Sequence, residues 1–285
     1  MLSSALLATP VAGAASSSVW HRLRTGDANG SVLHSGTQAL YAVFGDQVIG
    51  VAARDAVHPP VTIGTPLPQL PTAAVGDPAV IVDAVLHVAG LAVSVERLVP
   101  SEAPPLVDPP TAAVRLAAVL REPRVVARLD GVRAQLPAAG LRSLMSGHPN
   151  AVLGLLGLGD GLTPVGDDVL AGWLATTSAI RQATGAVGEA VRVHAHRTST
   201  LSAALLLDAV AGHCLPQFRA LVMALATGRA VPEAVASLLA VGHTSGAGML
   251  LGARLALAFP VTVPVPVSVS VSVSVSAPEP LRSPR

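Results

Sequence analysis

Two glycine-rich junctions hold most of the polar residues able to do chemistry in this chain. The first reads Gly157-Leu-Gly-Asp-Gly-Leu-Thr-Pro-Val-Gly-Asp-Asp168. Glycines at alternate positions free the backbone. Thr163 suits an N-cap and Pro164 a first helical position. Main-chain N–H groups of such a loop, with Gly166 in the first turn, point outward unpaired and can hold an anion without a basic side chain. Asp160, Asp167 and Asp168 add carboxylates for a divalent metal or a substrate amide N–H. Neighbouring helical residues point about 100° apart, so one of Asp167 and Asp168 faces the site while the other serves the fold. The competing reading is a well-made helix start whose acids favour the macrodipole. It leaves Gly157, Gly159 and Gly161 without a task.

The second junction is Gly242-His-Thr-Ser-Gly-Ala-Gly248. Gly242 can close one helix in the left-handed conformation, and Thr244 or Ser245 can cap the next, with Gly246 in its first turn. His243 offers an acid, a base or a hydrogen-bond donor beside another set of free N–H groups. A helix corner with a packing histidine explains the same residues. Between the junctions, Thr198 and Ser202 lie four apart, so they either present two hydroxyls to one ligand or bond back to their own helix. His194 and His196 are two apart, the wrong spacing for a helical zinc pair. A shared site requires the donors at Thr163–Asp167 and Thr244–Ala247 to meet around one cavity.

Composition removes whole classes of chemistry. All 18 basic residues are arginine, so neither a Schiff-base lysine nor a P-loop lysine exists. A formal net charge of +1 with 2% aromatics gives no basic footprint and no stacking platform, so nucleic acid is not expected as a partner. The chain lacks a serine-hydrolase elbow, a helical zinc-protease motif and paired-cysteine spacing. The one cysteine, Cys214, fits a reducing compartment. With 12% charged and 51% hydrophobic residues, the apolar stretches are still cut by proline or charge before membrane-spanning length. We expect a soluble cytoplasmic protein with no membrane partner. Met1–Trp20 resembles a signal peptide only in part, lacking a basic start and a long apolar run. A loose N-terminal segment or a misplaced start is preferred.

The elements that must position these residues fall into an α+β arrangement: an N-terminal β-rich domain, a small barrel or sandwich, followed by a C-terminal α-helical bundle. Residues 1–16 read as loose and 17–108 as β-rich, with hairpin strands at 39–44 and 47–52 around Gly45-Asp46. Further short strands follow, with no helical pattern between them. The prolines between Pro100 and Pro110 mark the change of period. Residues 109–260 read as helices that carry the glycine-rich motifs, and Val-Pro and Val-Ser repeats make 261–285 a low-complexity, disordered tail.

Taken in order, Gly157–Trp173 (GLGDGLTPVGDDVLAGW), Thr198–Gly212 (TSTLSAALLLDAVAG) and Val241–Gly252 (VGHTSGAGMLLG) resemble the AllH-type family. The resemblance implies a subunit of an oxamate carbamoyltransferase, a multi-subunit transferase of allantoin and purine breakdown. Its reaction converts oxalurate and phosphate to oxamate and carbamoyl phosphate. Small anionic ureido substrates and partner subunits are implied. Asp167, Asp168 and His243 would be the catalytic candidates. Gly157, Gly159, Asp160, Gly161, Thr163, Gly166, Thr198, Ser202, Thr244, Ser245 and Gly246 would line the anion site. No cofactor is certain, a divalent metal at Asp160, Asp167 and Asp168 being the one considered. The chain departs from the family pattern at Gly248, where an acid is frequent, and at Val165, where serine is common. A non-catalytic anion-binding or scaffolding subunit, or a purely structural use of the glycines, are the alternatives.

Overall fold

The computed structural model describes residues 8–182 and 185–258. The low-complexity tail and the first seven residues, on which sequence expectations were stated, lie outside the described residues.

Eight strands form a closed barrel: β1 (Thr9–Ala15), β2 (Ala28–Ser35), β3 (Ala39–Phe44), β4 (Gln47–Ala52), β5 (Thr62–Gly64), β6 (Pro78–Val82), β7 (Val85–Val88) and β8 (Leu91–Leu98). Around the barrel the order is β1-β5-β4-β3-β2-β6-β7-β8. This corrects the expected fold class. The choice left open between small barrel and sandwich falls to a closed barrel, and its closing strand comes from the segment read as loose. β1 pairs in parallel with β8 and antiparallel with β5, which removes both exposed edges. Its sequence, Thr-Pro-Val-Ala-Gly-Ala-Ala, lacks the β-branched density by which a strand is recognised. Partner strands on both sides supply what local propensity does not. The absence of helix between strands is also corrected, since α1 (Ser17–Leu23) follows β1 directly, capped by the Ser16 hydroxyl accepting from Val19 N–H at 3.2 Å. The β3–β4 hairpin turns at Gly45, φ +63°, as Gly-Asp suggests.

The helices after residue 108 are α2 (Pro109–Val119), α3 (Pro123–Arg133), α4 (Ala138–Met145), α5 (Asn150–Leu155), α6 (Val165–Ala179), α7 (Gly185–His194), α8 (Thr200–Val210), α9 (Pro216–Thr227), α10 (Val231–Leu239) and α11 (Ser245–Leu257). At the centre, α6 is buried nearly all round, its two acids included. A Cβ on Gly252 would stand 2.1 Å from the Val169 carbonyl oxygen, and one on Gly172 2.1 Å from that of Met249. Gly248 faces Val165 and Asp168, while Gly252 faces Val169 and Trp173. Both series ascend together, so α6 and α11 run parallel, backbone against backbone, with their N-terminal ends side by side.

Barrel and helices each have a core, around Ile49, Ile63 and Leu86 in one and Leu170, Trp173 and Phe218 in the other. A third cluster joins them: Tyr41, Val48 and Val61 of the barrel side pack on Leu201 and Ala204 of α8. Beside it, Arg22 of α1 donates to Asp208 of α8, whose side chain is only 4% exposed. Burial raises the Asp208 carboxyl above its ordinary value, and the Arg22 charge and hydrogen bond pull it back.

Two outcomes follow. Gly252→Ala overpacks the helix contact and lowers unfolding free energy by about 1–3 kcal/mol in urea titration. Arg22→Ala strands a buried carboxylate and costs about 3–5 kcal/mol, and the volume-matched apolar pair Arg22→Met/Asp208→Leu recovers most of that loss.

Candidate functional site

The glycine loop before α6 folds back on itself. Gly157, Gly159 and Gly161 have φ of +74°, +113° and +93°, values that side chains disfavour. This curl lets the Leu158 carbonyl accept from Gly166 N–H at 2.9 Å, while Asp167 and Asp168 N–H both reach the Pro164 carbonyl. The expectation of outward, unpaired N–H groups is therefore corrected at these positions, because the loop supplies its own acceptors. Pro164, not Thr163, is the N-cap of α6, and no side chain caps it. The Thr163 hydroxyl instead meets the Ser245 hydroxyl at 3.2 Å. That contact joins the two junctions. Thr244 is the N-cap of α11, also without a side-chain cap bond.

Of the glycines expected to line an anion, Gly166 and Gly246 serve close approach. A Cβ on Gly166 would lie 2.0 Å from the Leu155 carbonyl oxygen, and one on Gly246 1.8 Å from that of Leu238. Gly161 has open space in the Cβ direction, and Gly159 faces the Val165 N–H. Asp160 is exposed on the loop, apart from the buried Asp167 and Asp168. The three carboxylates expected as metal ligands do not converge, and among the described residues no group of three or more histidine, cysteine or acidic side chains is arranged to hold a metal ion.

Asp167 and Asp168 have different tasks. Gly157 N–H donates to Asp167 Oδ1 at 2.7 Å, and the hydroxyls of Ser202 (2.6 Å) and Thr198 both donate to Oδ2. Thr198 and Ser202 thus share one acceptor, a carboxylate of the protein, although Thr198 is extended ahead of α8 and does not lie on a helix face with Ser202 as the spacing had suggested. Neither bonds back to its own helix in the way the alternative reading had it. Asp167, fully engaged, pins the glycine loop to α8, and the role of taking a substrate N–H does not fit it.

Asp168 points toward α11. Its carboxyl is 3% exposed as a residue, and Oδ2 has no hydrogen-bond partner among the described residues. Burial pushes its pKa up to about 8; a hydrogen bond from Ser245 lowers it in part, and the Asp167 charge raises it further. Asp168 lines a small cavity of about 40 Å³ together with Thr163, Asp167, Ser202, His213, Cys214 and Met249. Such a volume holds one water-sized group. The cavity lies among α6, α8 and α9 with Met249 of α11 at its edge, whereas Thr244 and Ala247 of the α11 tip border a separate hollow against α3.

His243 is not brought to the Asp168 cavity. It is exposed, its carbonyl accepts from Arg128 at 2.6 Å, and it borders a hollow of about 150 Å³ against α3. Motif reading missed other residues at the cavity. His213 Nδ1 lies 2.9 Å from Ser101 Oγ, held by the Cys214 N–H donating to the Ser101 carbonyl and the Ala103 N–H to that of Gly212. Nothing in spacing could find a pair 112 positions apart. Asp208 could have been found, since an acid within the apolar run Leu205–Val210 needs a buried partner. Cys214 is buried, which pushes its thiol up to about 12 against a lowering by the Arg219 charge, so it is no nucleophile at neutral pH.

Asp167→Ala leaves one N–H and two hydroxyls without their acceptor and lowers stability by roughly 3 kcal/mol or more, read by denaturant titration. For Asp168 the sign is opposite to the usual carboxylate. The folded chain retains a proton that the unfolded chain loses near 3.8, so stability declines as pH rises from about 4 to about 8 and levels off above. Asp168→Asn flattens that decline in melting curves taken across the range.

Among the described residues no helix is long and apolar enough to cross a membrane. No curated protein and no solved structure matches the chain. Residues 155–257, which span the glycine loop, α6, α8 and α11, match the family described as oxamate carbamoyltransferase subunit AllH, and over that stretch this chain is AllH-like.

Proposed function

We propose that the chain is a subunit of an oxamate carbamoyltransferase-like enzyme of the cytoplasm, in which one end of a small anionic ureido compound reaches Asp168 at the paired tips of α6 and α11. The observation that carries this reading is a buried carboxyl with a free oxygen at the family-matched helix junction. In the phosphate-dependent direction a phosphate oxygen attacks the carbamoyl carbon of oxalurate. The bond from that carbon to the oxamate nitrogen breaks, and the departing nitrogen takes a proton. A carboxyl with pKa about 8 is protonated at neutral pH and can supply it. The positive ends of the α6 and α11 dipoles, whose first-turn N–H groups at Gly166, Asp167, Gly246 and Gly248 are already bonded within the protein, act on the developing charge only as a field.

A cavity of about 40 Å³ admits only one end of such a molecule. The rest of the substrate then lies against partner subunits, in keeping with a chain that acts within a hetero-oligomer. The same small volume is the one observation favouring a non-catalytic, scaffolding subunit.

The test is reconstitution with partner subunits and assay of carbamoyl phosphate formed from oxalurate and phosphate. Asp168→Asn is expected to lower kcat by ~10²–10⁴ with the fold intact and to abolish the loss of rate above about pH 8. Full activity in this variant assigns the chain to the scaffolding role.

A further inference from the structure

A larger cavity, about 670 Å³, opens where the β1, β5 and β8 side of the barrel faces the α8–α9 connection. It lies outside the family-matched stretch except for Cys214 and Pro216. We infer that this seam cavity is a binding site for a small oxyanion of the phosphate class, held by Arg54 and Arg97 with the Ser101 hydroxyl at its floor. The inference stands on the barrel residues and does not rest on the carbamoyl-transfer reading.

The first support is a deliberate irregularity. In a regular strand consecutive side chains point to opposite faces. Glu96 and Arg97 nevertheless both line the cavity. The β1–β8 register skips there, with Gly13 opposite Val95 but Ala14 opposite Arg97, so the bulge falls on Glu96 and re-aims its neighbours. Gly13 lets β1 lie close against β5 at this point, since a Cβ on it would stand 2.5 Å from Ile63 Cγ2.

The second support is charge left without use. Among the described residues Arg97 has no ion pair or hydrogen bond, and Arg54 meets only the exposed Asp55, at 3.5 Å. Against these two guanidiniums stands Glu96, whose Oε1 accepts from Ser94 Oγ at 2.9 Å. His58 is committed, its Nε2 lying 2.9 Å from the Ala53 carbonyl oxygen, and the Thr62 and Thr65 hydroxyls donate to the Pro59 and Ala52 carbonyls. Glu96 keeps its other oxygen free, but the two arginines outnumber this one acid among the lining residues, and guanidinium forks suit oxyanions.

The third support is the floor. Ser101 lines this cavity and His213 lines the one beside Asp168, and a 2.9 Å hydrogen bond joins them. When His213 Nδ1–H is the donor, the Ser101 hydroxyl proton is free to donate into the seam cavity.

Calorimetric titration of the full chain with inorganic phosphate, without partner subunits or turnover, tests this. Saturable binding is expected that weakens with ionic strength, and the double variant Arg54→Ala/Arg97→Ala weakens it by at least about tenfold. Both positions are exposed, so the variant keeps its fold, checked by its melting curve. Arg192→Ala, on the outer face of α7, leaves binding unchanged. The inference is overturned if the parent chain binds no phosphate, if the double variant binds as tightly, or if Arg192→Ala weakens binding equally. The arginine variants leave Asp168 unchanged, so the loss of binding they read is separate from the outcome of the carbamoyl-transfer assay.

Discussion

The parallel, backbone-to-backbone contact of α6 and α11 is the constraint on which the rest of the helical half depends. Parallel neighbours bring both positive dipole ends to one place, an arrangement unfavourable on its own. Glycines at 172, 248 and 252 permit the approach. Two carboxylates in the first turn of α6 then sit at the doubled positive end. The helix contact thus gathers both acids at one point, where Asp167 takes three donors and burial holds Asp168 protonated, and the glycine loop before α6 lets the chain enter that crowded point.

Adjacency on a helix separates the two acids. Rotation of about 100° turns Asp167 to the loop and α8, and Asp168 to α11. Asp167 finds three donors and becomes a clasp joining Gly157, Thr198 and Ser202. Asp168 finds one serine and a small cavity, so burial governs its protonation. Removing the first is a structural loss; changing the second alters the titration of the fold.

Helix α8 transmits this arrangement to the barrel. Its first half both holds Asp167 through Ser202 and packs Leu201 and Ala204 on Tyr41 and Val61, and Asp208 near its end meets Arg22 of α1. The strap Ser101–Ala103 pairs with Gly212–Cys214 just beyond it. Pro60 and Cys214 border both the small cavity and the seam cavity. A displacement of α8 would therefore be felt at the clasp, at the barrel contact and in the wall between the cavities.

Local signals in the sequence determined where chemistry-bearing residues concentrate. Positive-φ glycines, Thr-Pro and paired acids mark the entry to α6, and a glycine-flanked corner marks the entry to α11, because turns and helix starts depend on the residues next to them. The β3–β4 hairpin was legible for the same reason. The tertiary structure decided what no window contains. It closed the barrel through an alanine-rich β1 that has strand character only when β5 and β8 flank it. It gave the Thr198 and Ser202 hydroxyls to Asp167 and left His243 outside. It set Ser101 on His213 and Arg22 on Asp208 across more than 100 residues. Burial and long-range partnership, which divide Asp167 from Asp168, arise from packing between elements, and adjacent residues of one type carry no trace of that difference in sequence.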